Sequence, residues 1–238
     1  AINLGLPGLM SPDMLDMVQN SAMPKMNQAS GAYYVYPEYQ EYLRNADVIS
    51  IQIGSNDAFV PCVAGLWNPV NHKSDALACI VGLGEATNWK SEQLAALMVS
   101  GALRDFNFQK LGLFLEALNR MTLTFDESRA TNRLLFRGMD EICDQAYTNV
   151  TASLPQIVAG IRALNPDAKI VLLGYTNPVP LLPAWNRYFS KLNRFAKDLA
   201  TQEGLIYVDI PRAQTAADGH PTVKGHQYIA NQILNALK

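Results

Sequence analysis

The run Val48-Ile49-Ser50-Ile51-Gln52-Ile53-Gly54-Ser55-Asn56-Asp57 constrains this chain more than any other stretch. Its first six residues are mostly β-branched and apolar, which predicts a strand buried on both faces. The strand breaks at Gly54 and delivers three short polar side chains, Ser55, Asn56 and Asp57, at its carboxyl end. In an open α/β sheet that edge is where ligands bind. Two further strand-like runs, Lys169 to Gly174 and Leu205 to Ile210, alternate with helical periodicities. Strand, helix, strand, helix predicts a mainly parallel sheet with helices on both faces, a three-layer α/β/α arrangement.

The helices are marked by their ends. Ser11-Pro12-Asp13 predicts a helix start: Ser11 as the capping hydroxyl, proline at the first helical position and an acid in the first turn. Residues 1–4 ahead of it read as the end of a strand, and Glu38 to Asn45 as a short helix leading into the central strand. From residue 59 to about 146 long helical periodicities run with no convincing strand, which predicts a helical insertion that caps the site or packs beside it. From Ile142 a helix punctuated by Pro155 runs to Leu164. Another runs from about Trp185 to Gln202 with Gly204 as its stop, and a last amphipathic helix runs from Val223 to Leu237. The 238 residues suit one domain, 1–238, carrying that insertion.

Composition narrows the partners. Charged residues are only 17% of the chain, the formal net charge is −2, and no basic run occurs, which argues against nucleic acid as a partner. No apolar stretch approaches the roughly 20 residues that span a bilayer. The cysteines, Cys62, Cys79 and Cys143, have no Cys-x-x-Cys spacing, so neither a disulfide framework nor a zinc site is expected. Cys62 and Cys79 can pair in an oxidising compartment, or all three can stand as buried thiols. No metal or organic cofactor is expected, and the partner expected is a small molecule. Compartment stays open, with the sparse charge and tyrosine-rich loops leaning toward an exported bacterial protein.

Among titratable residues His220 stands out, held between Gly219 and Pro221 in a loop after the third strand. A histidine so placed can serve as a general base near neutral pH, and alone it reads equally as a surface residue. Asp218 beside it could orient the imidazole. Asn56 is either a turn asparagine bonding its own backbone or a donor aimed into a site. Ser55 and Asp57 read as residues that stabilise the loop.

Three blocks together carry a family resemblance. Gly54-Ser55-Asn56-Asp57 resembles the Gly-x-Asn-Asp block of the SGNH (GDSL-type) ester hydrolases. Asp218-Gly219-His220-Pro221-Thr222-Val223-Lys224-Gly225-His226 resembles their last block, and Asn3-Leu4-Gly5-Leu6-Pro7-Gly8-Leu9-Met10-Ser11 their second. The blocks stand in the family's order, from one end of the chain to the other. The resemblance implies a flavodoxin-like sheet and hydrolysis of a carboxylic ester. It implies His220 as general base, and Gly8 (backbone N–H) and Asn56 (side-chain amide) as oxyanion donors. The family's acid lies three residues before its histidine. Here Ala217 holds that position and Asp218 is one residue closer. Gly174-Tyr175-Thr176-Asn177-Pro178 and Ala184-Trp185-Asn186 look like the bacterial lipase or acylhydrolase-like subgroup. Leu181-Leu182 and the neighbouring prolines suit an acyl or aromatic ester.

The family's nucleophile block, Gly-Asp-Ser, does not occur in this sequence. In the family it follows a central strand upstream of the segment matched here by Asn3. Loss of a central strand would leave two unpaired edges. The expectation is therefore that the natural protein supplies strand and serine ahead of Ala1. The alternatives are a ligand-binding pseudoenzyme of the same fold and a flavin-binding protein on the same sheet.

Overall fold

The computed structural model describes residues 2–6, 8–21, 38–67, 138–177, 183–215 and 221–238. In chain order these residues form α1 (Ser11–Asn20), α2 (Tyr39–Arg44), β1 (Val48–Ile51), α3 (Ser55–Trp67), α4 (Met139–Leu164), β2 (Lys169–Leu173), α5 (Pro183–Glu203), β3 (Ile206–Val208) and α6 (Val223–Ala236). Most of the expected insertion, 68–137, lies outside the described residues. Its flanks belong to α3 and α4, whose Phe59, Met139 and Cys143 contribute to the core.

The described sheet is small and parallel, in the order β1-β2-β3. Val48 stands beside Lys169 and Ile51 beside Leu172, while Val171 stands beside Ile206 and Leu173 beside Val208. Alternate side chains of β2 enter different clusters. Ile170 and Leu172 pack with Met17, Val18, Val150, Ile157, Ile161 and Leu192 from α1, α4 and α5. Val171 and Leu173 pack with Val208, Ile210 and the α6 residues Tyr228, Ile229 and Ile233. Period-two alternation of the strand sends neighbouring residues to opposite faces, so α6 covers one face and the other helices cover the second.

Helices α4 and α5 lead into β2 and β3 on the same face. Asp140 pairs with Arg187 and Asp144 with Lys191, so the two helices ascend in the same direction. This is the geometry of successive crossovers between parallel strands. α4 continues through Pro155 without a break, held by an apolar stripe from Cys143 to Ile161.

Three expectations are corrected. β1 is buried on one face only: Ile49 and Ile51 are buried, whereas Val48 (39% exposed) and Ser50 are exposed. It lies at the end of the described sheet, and its β-branched sequence satisfies strand geometry without burial of both faces. Residues 2–6 form no strand. Ser11 is not the helix cap. Met10 holds that position with extended backbone, and Ser11 is the first helical residue.

Asn165 joins the layers where α4 ends. Its amide donates to the carbonyls of Leu43 (2.9 Å), Arg44 (3.0 Å) and Ala46 (2.9 Å). Its side-chain oxygen accepts from the Ala168 N–H at 3.1 Å. One side chain thus ties the end of α2 to the turn that launches β2.

Candidate functional site

Because the strands are parallel, their carboxyl ends and the loops that follow gather at one edge of the sheet. Gln52 extends the pairing past β1 by donating to the Gly174 carbonyl at 2.7 Å. Gly54 then turns the chain into α3 with φ of 126°. A Cβ there would lie 3.1 Å from both Val150 and Leu192. The positive φ and the close neighbours make this a glycine position. The Tyr188 hydroxyl donates to the Gly54 carbonyl and lies buried in an aromatic group with Trp185, Phe189 and Phe59. Burial raises the Tyr188 hydroxyl pKa well above its usual value, which keeps it a neutral donor.

Asn56 occupies the first turn of α3 and is half-buried. Its side-chain amide donates to the Leu9 carbonyl at 3.1 Å, across 47 positions of sequence. An asparagine amide carries two N–H donors, and this bond fixes the plane in which the second lies. Gly8 adjoins Leu9, in a turn closed by the Leu9 N–H on the Leu6 carbonyl at 3.2 Å, with φ of 72°. The structure therefore brings the Gly8 turn and Asn56 together at the end of β1.

Asp57 is buried, 1% exposed, and its partner Ser11 is fully buried. The Ser11 N–H donates to one carboxylate oxygen at 2.9 Å and its hydroxyl to the other at 2.6 Å. Burial pushes the Asp57 carboxyl up to about 6, against the pull of the two Ser11 bonds in the opposite direction. The sequence gives Ser11 a hydroxyl in the right place for a cap and Asp57 an acid in the right place for its own helix. Only the fold shows that they are partners.

The other strand ends are tied to this edge. The Tyr175 hydroxyl, which burial pushes up to about 12, accepts from the Ser55 N–H. Asn193 holds the Tyr175 backbone at both its N–H (2.7 Å) and its carbonyl (2.9 Å). Thr176 donates to the Ile210 carbonyl and accepts from the Ala213 N–H at 3.2 Å, linking the loops after β2 and β3.

Asp218 and His220 lie outside the described residues, as does all of 216–220. The ends of that segment are described. Thr215 and Pro221 pair as an antiparallel bridge, and the Thr222 N–H donates to the Gln214 carbonyl at 2.9 Å. Thr222 caps α6 by accepting from the Gly225 N–H at 3.2 Å. Among the described residues no group of three His, Cys, Asp or Glu is arranged to hold a metal ion, and no helix is long and apolar enough to cross a membrane.

The model of the GDSL-like Lipase/Acylhydrolase family matches residues 2–228, from ahead of the Gly8 turn into the first turns of α6. The chain belongs to that family. The general chemistry of that family is ester hydrolysis, on small-molecule substrates. No curated protein and no solved structure matches the chain. Within the GDSL-like family the parallel sheet and flanking helices of this chain are the expected kind of scaffold.

Proposed function

We propose that this GDSL-like family member is a serine-dependent carboxylic ester hydrolase on a three-layer α/β/α, flavodoxin-like fold. The reading is carried by one observation: the Asn56 amide is anchored on the Leu9 carbonyl, one residue from Gly8, where β1 meets α3. In this reading the Gly8 N–H and the free N–H of Asn56 receive the oxygen of the ester carbonyl as it becomes negative. Donors fixed in advance cost no reorganisation when charge develops, and each contributes about 3 kcal/mol to the transition state.

The nucleophile is a serine from a segment ahead of Ala1 that adds a parallel strand beside β1. Its hydroxyl attacks the ester carbonyl while His220 takes the proton, and Asp218 orients the imidazole. The tetrahedral intermediate collapses with loss of the alcohol, which receives the proton from His220. Water, deprotonated by the same histidine, then attacks the acyl-enzyme and releases the acid. The two faces of β2, each covered by helices, support the layer arrangement.

The test is covalent labelling of the natural full-length protein with a fluorophosphonate, together with turnover of a butyrate ester. One adduct on a serine, with turnover lost in His220→Ala, is the expected result. A full-length protein that takes no label and turns over no ester overturns the reading and leaves a ligand-binding pseudoenzyme.

A further inference from the structure

Asp57 is a buried acid that the mechanism above does not use. Its carboxylate accepts twice from Ser11, once from the N–H and once from the hydroxyl. Ser11 is the first residue of α1, so its N–H is one of the helix donors with no partner inside the helix. Met10, at the cap position, has no oxygen in its side chain to receive such a donor. The Asp13 carboxylate takes the Met10 N–H at 3.3 Å, and Asp57, from 46 positions away, takes that of Ser11. Asp57 also stands in the first turn of α3. One carboxylate therefore sits at the positive ends of two helices, which offsets part of the cost of burying its charge.

The bonds on either side of this pair give it a consequence. Gly8, Leu9, Met10 and Ser11 are consecutive, and so are Asn56 and Asp57. The Asn56 amide holds Leu9 while Asp57 holds Ser11, so the two segments are clamped at two points two residues apart. A single bond would allow the turn to pivot about Leu9. The second removes that freedom and fixes where the Gly8 N–H lies relative to the Asn56 amide.

We propose that Asp57 is a positioning residue for the oxyanion donors: by gripping Ser11 it fixes the Gly8–Met10 turn against Asn56, so that the two donors converge on one point. This rests on the reading of Gly8 and Asn56 as those donors. A carboxylate is suited to the task because it is acceptor-only and meets two donors on one residue.

The experiment uses the natural full-length protein with Asp57→Ala, Asp57→Asn and Ser11→Ala. It measures kcat and KM on a butyrate ester and the NMR resonances of the Gly8 backbone amide and Asn56 side-chain amide. Asp57→Ala and Ser11→Ala are expected to lower kcat roughly ten- to hundredfold. KM should change by no more than about twofold, because the substrate's ground state does not use the oxyanion donors fully. Asp57→Asn keeps an acceptor for the Ser11 N–H and can donate to its hydroxyl, so most of kcat should return. Both amide resonances should shift in Ser11→Ala, which removes one hydroxyl and keeps the fold if Asp57→Ala does not. Unchanged kcat, a loss carried by KM, or an Asp57→Asn protein as impaired as Asp57→Ala overturns the proposal. If the wild-type protein turns over no ester, the hydrolase reading fails by itself. The grip is then judged by the amides, and two unmoved resonances overturn it.

Discussion

At the scale of single residues, Asp57 makes a statement about stability as well as position. Its carboxyl is raised from 3.8 to about 6 by burial, so the folded state holds the proton more tightly than the unfolded chain. The stabilisation that follows is fully present below the unfolded value and is lost as pH rises through the folded one. A shift of about two units corresponds to roughly 3 kcal/mol. Asn at this position cannot ionise. Urea unfolding of wild type and Asp57→Asn should therefore give a stability difference that changes by about 3 kcal/mol in favour of the variant between about pH 3.5 and 7. A difference that stays flat would mean that the carboxyl is hydrated in the folded protein. Little of this was legible in the sequence. Ser11 and Asp57 each have a local explanation as a helix-terminal residue, and nothing in the spacing says that a hydroxyl and an acid 46 positions apart share two hydrogen bonds. Asn56 was legible because it follows a β-branched run and a glycine, a local pattern.

At the scale of elements, local pattern again marks the line between what could be read and what could not. Strands β2 and β3 and helices α4, α5 and α6 lie where hydrophobic period and end signals put them, because each of those signals acts within a few residues. The burial of β1 on one face was not readable, since β-branched residues suit an exposed strand face as well as a buried one. Asn165 shows the same limit. In sequence it belongs to Asn-Pro-Asp, a turn signal, and the turn is there. Its three bonds to the end of α2 are non-local. Replacing it by alanine strands the buried carbonyl of Leu43 and the partly buried Ala46 carbonyl and Ala168 N–H, each of which loses its Asn165 partner. Leaving even one or two such groups unsatisfied costs about 3 kcal/mol. Chemical denaturation of Asn165→Ala should show that loss with an unchanged slope against denaturant. A variant within about 0.5 kcal/mol of wild type would mean that water replaces the asparagine at no cost.

For the molecule as a whole, the unequal covering of the two sheet faces sets the order in which it opens. The face carrying Ile170 and Leu172 is packed by α1, α4 and α5, with Val150, Ile157, Ile161 and Leu192 all but inaccessible to solvent. The opposite face meets α6 through Tyr228, Ile229 and Ile233, with Leu237 just past its end, all only partly buried, and Gly225 is the sole buried residue of that helix among those described. Free energy of opening follows buried apolar contact, so α6 should detach before the rest of the sheet unfolds. Its departure would carry off Thr222 and its bond to Gln214, the neck of the segment that contains His220. Folded stability and the assembly of the proposed site are therefore separable properties of this chain. Hydrogen exchange should find the amides of α6 less protected than those of α4 and β2. Ile233→Ala should speed exchange roughly tenfold in α6 while leaving α4 unchanged, since truncating a partly buried isoleucine removes contact only from the smaller cluster. If α6 and α4 instead exchange together and respond together to Ile233→Ala, the two faces form one cooperative unit, and the segment around His220 is held by the stability of the whole domain.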